Sequence, residues 1–153
     1  MRRIGIFPGT FDPPTLGHLA IIQKSGAICE HLVIAIGLKP GKTSLFSVDE
    51  RREMLQKIAP EAEIHPFHGL IVDFAKEKKG SFLIRGLRSL ADCETELQMA
   101  EANRRLSGIE TVFFGADEPH ISSSLIREIA HFKGSLNGFV PKEIEPLIRK
   151  KFP

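Results

Sequence analysis

Two cysteines, Cys29 and Cys93, are the entire thiol complement of this 153-residue chain. They lie far apart and form no Cys-x-x-Cys or Cys/His spacing. That excludes a disulfide framework and a zinc ribbon, and leads us to expect reduced thiols in a cytoplasmic setting. No stretch approaches the ~20 apolar residues that a membrane span requires. A secretory leader is not expected either, because Met1-Arg2-Arg3 leads into an apolar run that stops at Pro8. An excess of one charge is also missing. The 21 Lys and Arg residues against 19 Asp and Glu leave +2, too little to draw nucleic acid or a membrane by bulk attraction. The one basic run near the end, Arg149-Lys150-Lys151, has no aromatic interleaving and reads as a solvated helix terminus. Internal repeats, low-complexity tracts and linkers are absent too. The expectation is one domain over residues 1–153, long enough to bury roughly two-thirds of its unfolded surface.

What the chain does contain is alternation. Five short apolar runs, Ile4 to Phe7, Leu32 to Gly37, Ala62 to His65, Ser81 to Ile84 and Thr111 to Phe114, are separated by helical patterns. Within a run such as Val33-Ile34-Ala35-Ile36 apolar residues do not alternate with polar ones, the pattern of strands covered on both faces. Helices are predicted over Gly17 to Cys29, Val48 to Ile58, Ile71 to Lys79, Leu90 to Leu106 and Ser122 to His131, with a last one after Pro141. Ser47 and Glu50 form a capping box at the start of the second. The expected fold is α/β: a single Rossmann-like domain with a five-stranded parallel sheet and helices on both faces.

In such sheets ligands bind beyond the carboxyl ends of the strands, where the unusual polar segments of this chain fall. The turn Gly9-Thr10-Phe11-Asp12-Pro13-Pro14-Thr15-Leu16-Gly17-His18 follows the first strand and opens a helix, placing backbone N–H groups and an imidazole at one point. Lys39-Pro40-Gly41-Lys42 follows the second strand and Phe67-His68-Gly69 the third, Arg85-Gly86-Leu87-Arg88 closes the fourth, and the stretch to Ser122-Ser123-Ser124 follows the fifth. If the ligand carries several phosphates, His18 (counted as protonated), Lys42, Arg85 and Arg88 supply up to four cations against the charge that develops when two phosphates react. The serines add hydroxyl and backbone donors. No Ser-His-Asp, Cys-His or paired-carboxylate pattern competes, and none is required, since an ionised phosphate can itself attack another.

The segments Pro8-Gly9-Thr10-Phe11-Asp12-Pro13, Thr15-Leu16-Gly17-His18, Leu83-Ile84-Arg85-Gly86-Leu87-Arg88 and Ile121-Ser122-Ser123-Ser124 resemble, in order and spacing, the bacterial phosphopantetheine adenylyltransferases of the nucleotidyltransferase superfamily. The first block and the T-x-G-H signature indicate the superfamily; the Arg-Gly-Leu-Arg block and the length narrow it. The resemblance implies that 4'-phosphopantetheine attacks the α-phosphorus of ATP in line, giving dephospho-coenzyme A and pyrophosphate, with Mg²⁺ assisting. By position it makes His18 the transition-state stabiliser, with Lys42 and Arg88 also catalytic. It places Thr10, Lys42, Ile71 and Arg85 on the acceptor. It places Thr10, Phe11, His18, Gly86, Leu87, Arg88, Glu96, Glu118, Pro119, His120, Ile121, Ser122, Ser123 and Ser124 on ATP. It further implies a homohexamer and coenzyme A as a feedback inhibitor. One departure stands out: Glu118-Pro119-His120 replaces the aromatic residue that the family usually carries before its serines.

Each residue also has a plainer reading. His18 could be only a helix-start histidine. Arg85 and Arg88 could be surface charge paired with Glu94 or Glu96, and Glu96 could belong to a solvated acidic face with Asp92, Glu94 and Glu101. Lys42 could be an ordinary loop lysine, and the serines simple helix caps. His65 and His68 have a metal-like spacing but no third ligand nearby, so a loop pair without metal is expected. His31 and His131 read as ordinary surface or helix-end residues. The rival activities are adenylyl transfer to nicotinate mononucleotide, a cytidylyltransferase, and a noncatalytic nucleotide-binding sensor.

Overall fold

Five strands and six helices alternate along the computed structural model, which describes all 153 residues. They are β1 (Ile4–Gly9), α1 (Leu16–Ser25), β2 (His31–Gly37), α2 (Val48–Ile58), β3 (Glu63–Phe67) and α3 (Ile71–Glu77), then β4 (Phe82–Leu87), α4 (Leu90–Ser107), β5 (Glu110–Gly115), α5 (Ser123–His131) and α6 (Glu145–Arg149). The sheet runs β3-β2-β1-β4-β5 and every neighbouring pair is parallel. The chain builds outward from β1 to β3, then returns to lay β4 on the other side of β1. Strand order reverses between β1 and β4, and the crevice at their carboxyl ends is where ligands bind in open α/β sheets.

The unbroken apolar runs split by strand alternation between two cores. Phe7, Ile34, Ile36, Ile64 and Ile84 pack with Ile21 of α1 and Leu55 of α2. Their chain neighbours Ile6, Val33, Ala35 and Leu83 pack on the other face with Phe74 and Ala75 of α3. Helix α4 completes that second layer against β4, β5 and α3. A third cluster joins Phe46 and Met54 to Ile126, Ala130, Leu136, Val140, Ile144 and Ile148, fixing α5 and the C-terminal turns beside α2. No helix is long and apolar enough to cross a membrane.

Several boundaries differ from expectation. α1 begins at Leu16 and stops at Ser25, because Ala27, Ile28 and Cys29 form turn hydrogen bonds back to Lys24 and Ser25. β3 is shifted to Glu63–Phe67, since the Ala62 N–H is spent on a turn to Ala59 while Phe67 pairs with Gly37. Pro66 is tolerated because β3 is an edge strand with one partner. His65 does not gather with His68, which is exposed. Instead His31, His65 and Lys78 surround the Glu63 carboxylate, and their hydrogen bonds hold its pKa down to about 2. His31 is therefore part of an ion cluster rather than an isolated surface residue.

Candidate active site

The signature Thr15-Leu16-Gly17-His18 is a capping box in which histidine takes the place of glutamate. The Thr15 hydroxyl accepts the His18 N–H at 3.2 Å, and the Thr15 N–H donates to His18 Nδ1 at 3.0 Å. With Nδ1 held as an acceptor, the neutral ring carries its proton on Nε2. The ring stands edge-on to Phe11, 4.8 Å between centroids, and Phe11 stands edge-on to Phe7 at 5.3 Å. A threonine cap and two aromatic rings thus fix the direction of the imidazole.

Burial depresses the His18 pKa to about 4, and the charges of Arg85 and Arg88 add to the effect. In the ligand-free protein this favours the neutral ring, which presents Nε2–H as a hydrogen-bond donor in place of the fourth cation counted from the sequence. β1 and β4 are hydrogen-bonded neighbours, so the turn that carries His18 and the strand end that carries Arg85 lie side by side at the switch point. The helix amides also contribute less than expected. The Leu16 N–H is bonded to Phe139 O at 3.0 Å and the His18 N–H to Thr15, which leaves the Gly17 N–H as the free donor of that turn. A Cβ on Gly17 would come within 3.3 Å of Thr15 Oγ1, crowding the cap.

Arg85 is braced. Its Nε and Nη2 donate to the two oxygens of Glu96 at 2.8 and 2.5 Å, and Nη1 donates to Pro8 O at 3.0 Å. Three of the five guanidinium donors are used, leaving two for a ligand. The plain reading of Glu96 as an arginine partner is what this geometry displays, while Glu94 takes no part. Arg88, just past β4, is exposed and held by Asp92 at 3.3 Å across one helical turn. Gly86 and Leu87 lie within β4, and Gly86 has a packing reason of its own: a Cβ there would meet Ile21 Cδ1 at 2.4 Å.

The first turn is held from below by residues to which the sequence had assigned no role. Both oxygens of the buried Asp12 carboxylate accept backbone N–H groups, from Leu45 at 2.9 Å and Phe46 at 2.8 Å. The Asp12 carbonyl accepts Arg127 Nη1 at 2.6 Å, and the carbonyl of the exposed Thr10 accepts Arg51 Nη1 at 2.9 Å. Asp12 thus ties the loop carrying Lys42 to the turn carrying Thr10. Lys42 itself is exposed on that loop. Arg51 had a signal in the sequence, since it shares the apolar stripe of α2 with Met54, Leu55 and Ile58 and an arginine there must be buried. Arg127 had none.

The remaining candidates divide. Phe11 is 1 % exposed and adopts a φ of 52°, so its ring is core and only its backbone can meet a ligand. Ile121 is likewise core. Ser122 caps α5 by accepting the Leu125 N–H, and the Ser123 hydroxyl donates to Pro13 O at 2.8 Å, pinning α5 to the first turn. Ser124 is exposed. Glu118, Pro119 and His120 form an exposed turn after β5. Ile71 opens α3 beside the edge strand, half-buried against the Phe74 core, the candidate farthest along the sheet from β4.

A cytidylyltransferase-like family model matches residues 6–129. The phosphopantetheine adenylyltransferase of Lachnoclostridium phytofermentans is 45% identical to this chain, over 98% of this chain and 96% of its own length. That of Clostridium botulinum strain Hall is 43% identical over 97% and 94%. A crystal structure from Vibrio parahaemolyticus, provisionally assigned as a nicotinate-nucleotide adenylyltransferase, superposes with a TM-score of 0.67 over 99% of this chain and 98% of its own. At 11% identity that likeness establishes the fold alone.

Proposed function

The chain belongs to the phosphopantetheine adenylyltransferases of the cytidylyltransferase-like family, and from that premise we propose how its residues carry the reaction. The reaction is transfer of the adenylyl group of ATP to 4'-phosphopantetheine. An oxygen of the acceptor phosphate forms a bond to the α-phosphorus, the bond to the bridging oxygen breaks, and pyrophosphate leaves with the electron pair. The acceptor phosphate is already ionised, so no base is needed. Catalysis then consists of positioning and of stabilising charge on the α-phosphate oxygens. The observation that carries the reading is the neutral, tautomer-fixed Nε2–H of His18 at the sheet's switch point, flanked by Arg85 and Arg88. A neutral donor suits this task, because it stabilises charge as charge appears without binding the ground-state anion tightly.

Arg88 and the free amides at the start of α5 face the triphosphate in this scheme, while Thr10, Lys42 and Arg85 hold the acceptor. No cluster of three His, Cys, Asp or Glu side chains forms a cation cage. In this reading Mg²⁺ would arrive with ATP and would offset charge on the departing pyrophosphate. Coenzyme A, which contains the acceptor's arm, competes for the same site, and the cytoplasm is the compartment that suits two reduced cysteines. A homohexamer belongs to the same reading, and the exposed Leu90, Leu97, Met99 and Leu106 of α4 give apolar surface that an assembly would cover.

Purified protein given ATP, Mg²⁺ and phosphopantetheine is expected to release pyrophosphate, with nicotinate mononucleotide giving no turnover. Turnover with the nicotinate acceptor instead would overturn the acceptor assignment, and pyrophosphate release from neither would favour a noncatalytic sensor. Glu96 offers a second check. Because it holds Arg85, Glu96→Ala is expected to raise the acceptor KM about tenfold and leave the ATP KM within about twofold, the scale of one lost charge-assisted contact. The reverse split in steady-state kinetics would make Glu96 a nucleotide ligand.

A further inference from the structure

Helix α1 carries His18 in its first turn and Lys24 in its last. Lys24 does not extend into solvent. Its Nζ donates to Gly115 O at 3.1 Å and to Asp117 Oδ1 at 2.6 Å, reaching residues 91 and 93 positions away in the chain. Gly115 is the last residue of β5, and Asp117 opens the turn that leads through Glu118, Pro119 and His120 to the Ser122 cap.

That turn is anchored at its two ends. Ala116 N–H donates to Leu87 O at 2.8 Å, which ties it to the end of β4, and the Ser123 hydroxyl donates to Pro13 O at 2.8 Å, which ties α5 to the first turn. Between these anchors residues 117–120 are all exposed. Their other contacts are two local ones, Ile121 N–H to Glu118 O at 3.1 Å and the Glu118–His120 pair at 3.7 Å, and an uncharged one, the His120 ring edge-on to Phe139 with centroids 6.5 Å apart. The ammonium of Lys24 is thus the one long-range charged contact within the span, and it comes from the helix whose other end presents the His18 imidazole.

We propose that Lys24 is a positioning residue for the nucleotide: by clamping Gly115 and Asp117 it sets the distance between α1 and the 117–120 turn, and so the width of the slot into which the purine of ATP enters. This rests on the adenylyl-transfer reading, in which the stretch from Glu118 to Ser124 and the end of β4 bound the nucleotide. It gives a role to a lysine that belongs to none of the recognisable motifs. The clamp acts on ATP rather than on the acceptor, because the Lys42 loop is held separately, by Asp12 through Leu45 and Phe46, and Thr10 by Arg51.

The test is steady-state kinetics of Lys24→Met, Asp117→Asn, the double variant and Lys24→Arg, with MgATP and phosphopantetheine varied in turn and thermal melts in parallel. Lys24→Met is expected to raise the ATP KM about fivefold, on the scale of one partly exposed charge-assisted bond, with kcat and the acceptor KM within about twofold. Asp117→Asn does less, since the bond to Gly115 survives. The double variant matches Lys24→Met, because the two residues act through each other, and Lys24→Arg recovers most of the loss. An unchanged ATP KM, equal rises for both substrates, or multiplying effects in the double variant would overturn the proposal. Should the wild-type protein fail to adenylylate phosphopantetheine, the functional reading falls first. Calorimetric titration of ATP into wild-type and Lys24→Met protein then decides the clamp separately, equal affinities refuting it.

Discussion

Replacing His18 with alanine is expected to lower kcat by about 10²–10³-fold while the dissociation constant of ATP changes less than about threefold. The split follows from the charge state. A neutral imidazole offers the ground-state triphosphate one weak donor, and that donor gains strength only as charge builds on the transferring phosphoryl group. Rapid-quench turnover set against calorimetric ATP binding checks this, and equal losses in both would reduce His18 to a binding residue. The depressed pKa has a consequence of its own. The folded imidazole protonates near pH 4 and the unfolded one near 6.5. As pH falls between those values the unfolded chain takes up the proton first, so the native state loses stability, on the order of 1 kcal/mol per pH unit. In His18→Ala that slope disappears, as urea melts at pH 7 and pH 5 compare directly. In the ligand-free protein the His18 Cε1–H resonance should stay flat from pH 8 down to about pH 5.

The largest effect on stability is expected at Asp12. Its carboxylate is buried, both oxygens accept backbone N–H groups, and the Arg127 guanidinium lies 3.6 Å from Oδ2. Asp12→Ala leaves the Leu45 and Phe46 amides without acceptors and removes the counter-charge of Arg127. The cost is about 3 kcal/mol, read as a fall in the urea midpoint at unchanged m-value. Asp12→Asn keeps one acceptor oxygen and should lose about half as much. Because the same bonds hold the Lys42 loop against Thr10, the surviving folded fraction should bind the acceptor more weakly and ATP normally. A stability loss below about 1 kcal/mol would show that the loop stays in place without Asp12.

Much of this was readable before any coordinates. Doubly apolar runs such as Val33 to Ile36 can only be strands covered on both faces, and helices between them force parallel crossovers. The positions of the polar turns at the strand ends then follow, and with them the placing of His18, Arg85, Arg88 and the Ser122 cap along one edge of the sheet. Boundaries erred where backbone hydrogen bonds outvoted pattern, as at Ala62 and at Ser25. Glu96 was legible only as two alternatives, because i,i+3 and i,i+4 spacing cannot tell a helix-surface carboxylate from one folded back onto a strand.

The chain's order of residues by itself determined the α/β class and the edge of the sheet at which the polar turns gather. Both depend on contacts spanning few residues or on strand and helix periodicity. The tertiary structure alone decided that burial disfavours the charged form of His18, that Arg85 is braced by Glu96, and that Asp12, Arg51, Arg127 and Lys24 bond to the loops around the site. Protonation and long-range hydrogen bonds depend on burial and on partners tens of residues away, and neither leaves a local pattern to read.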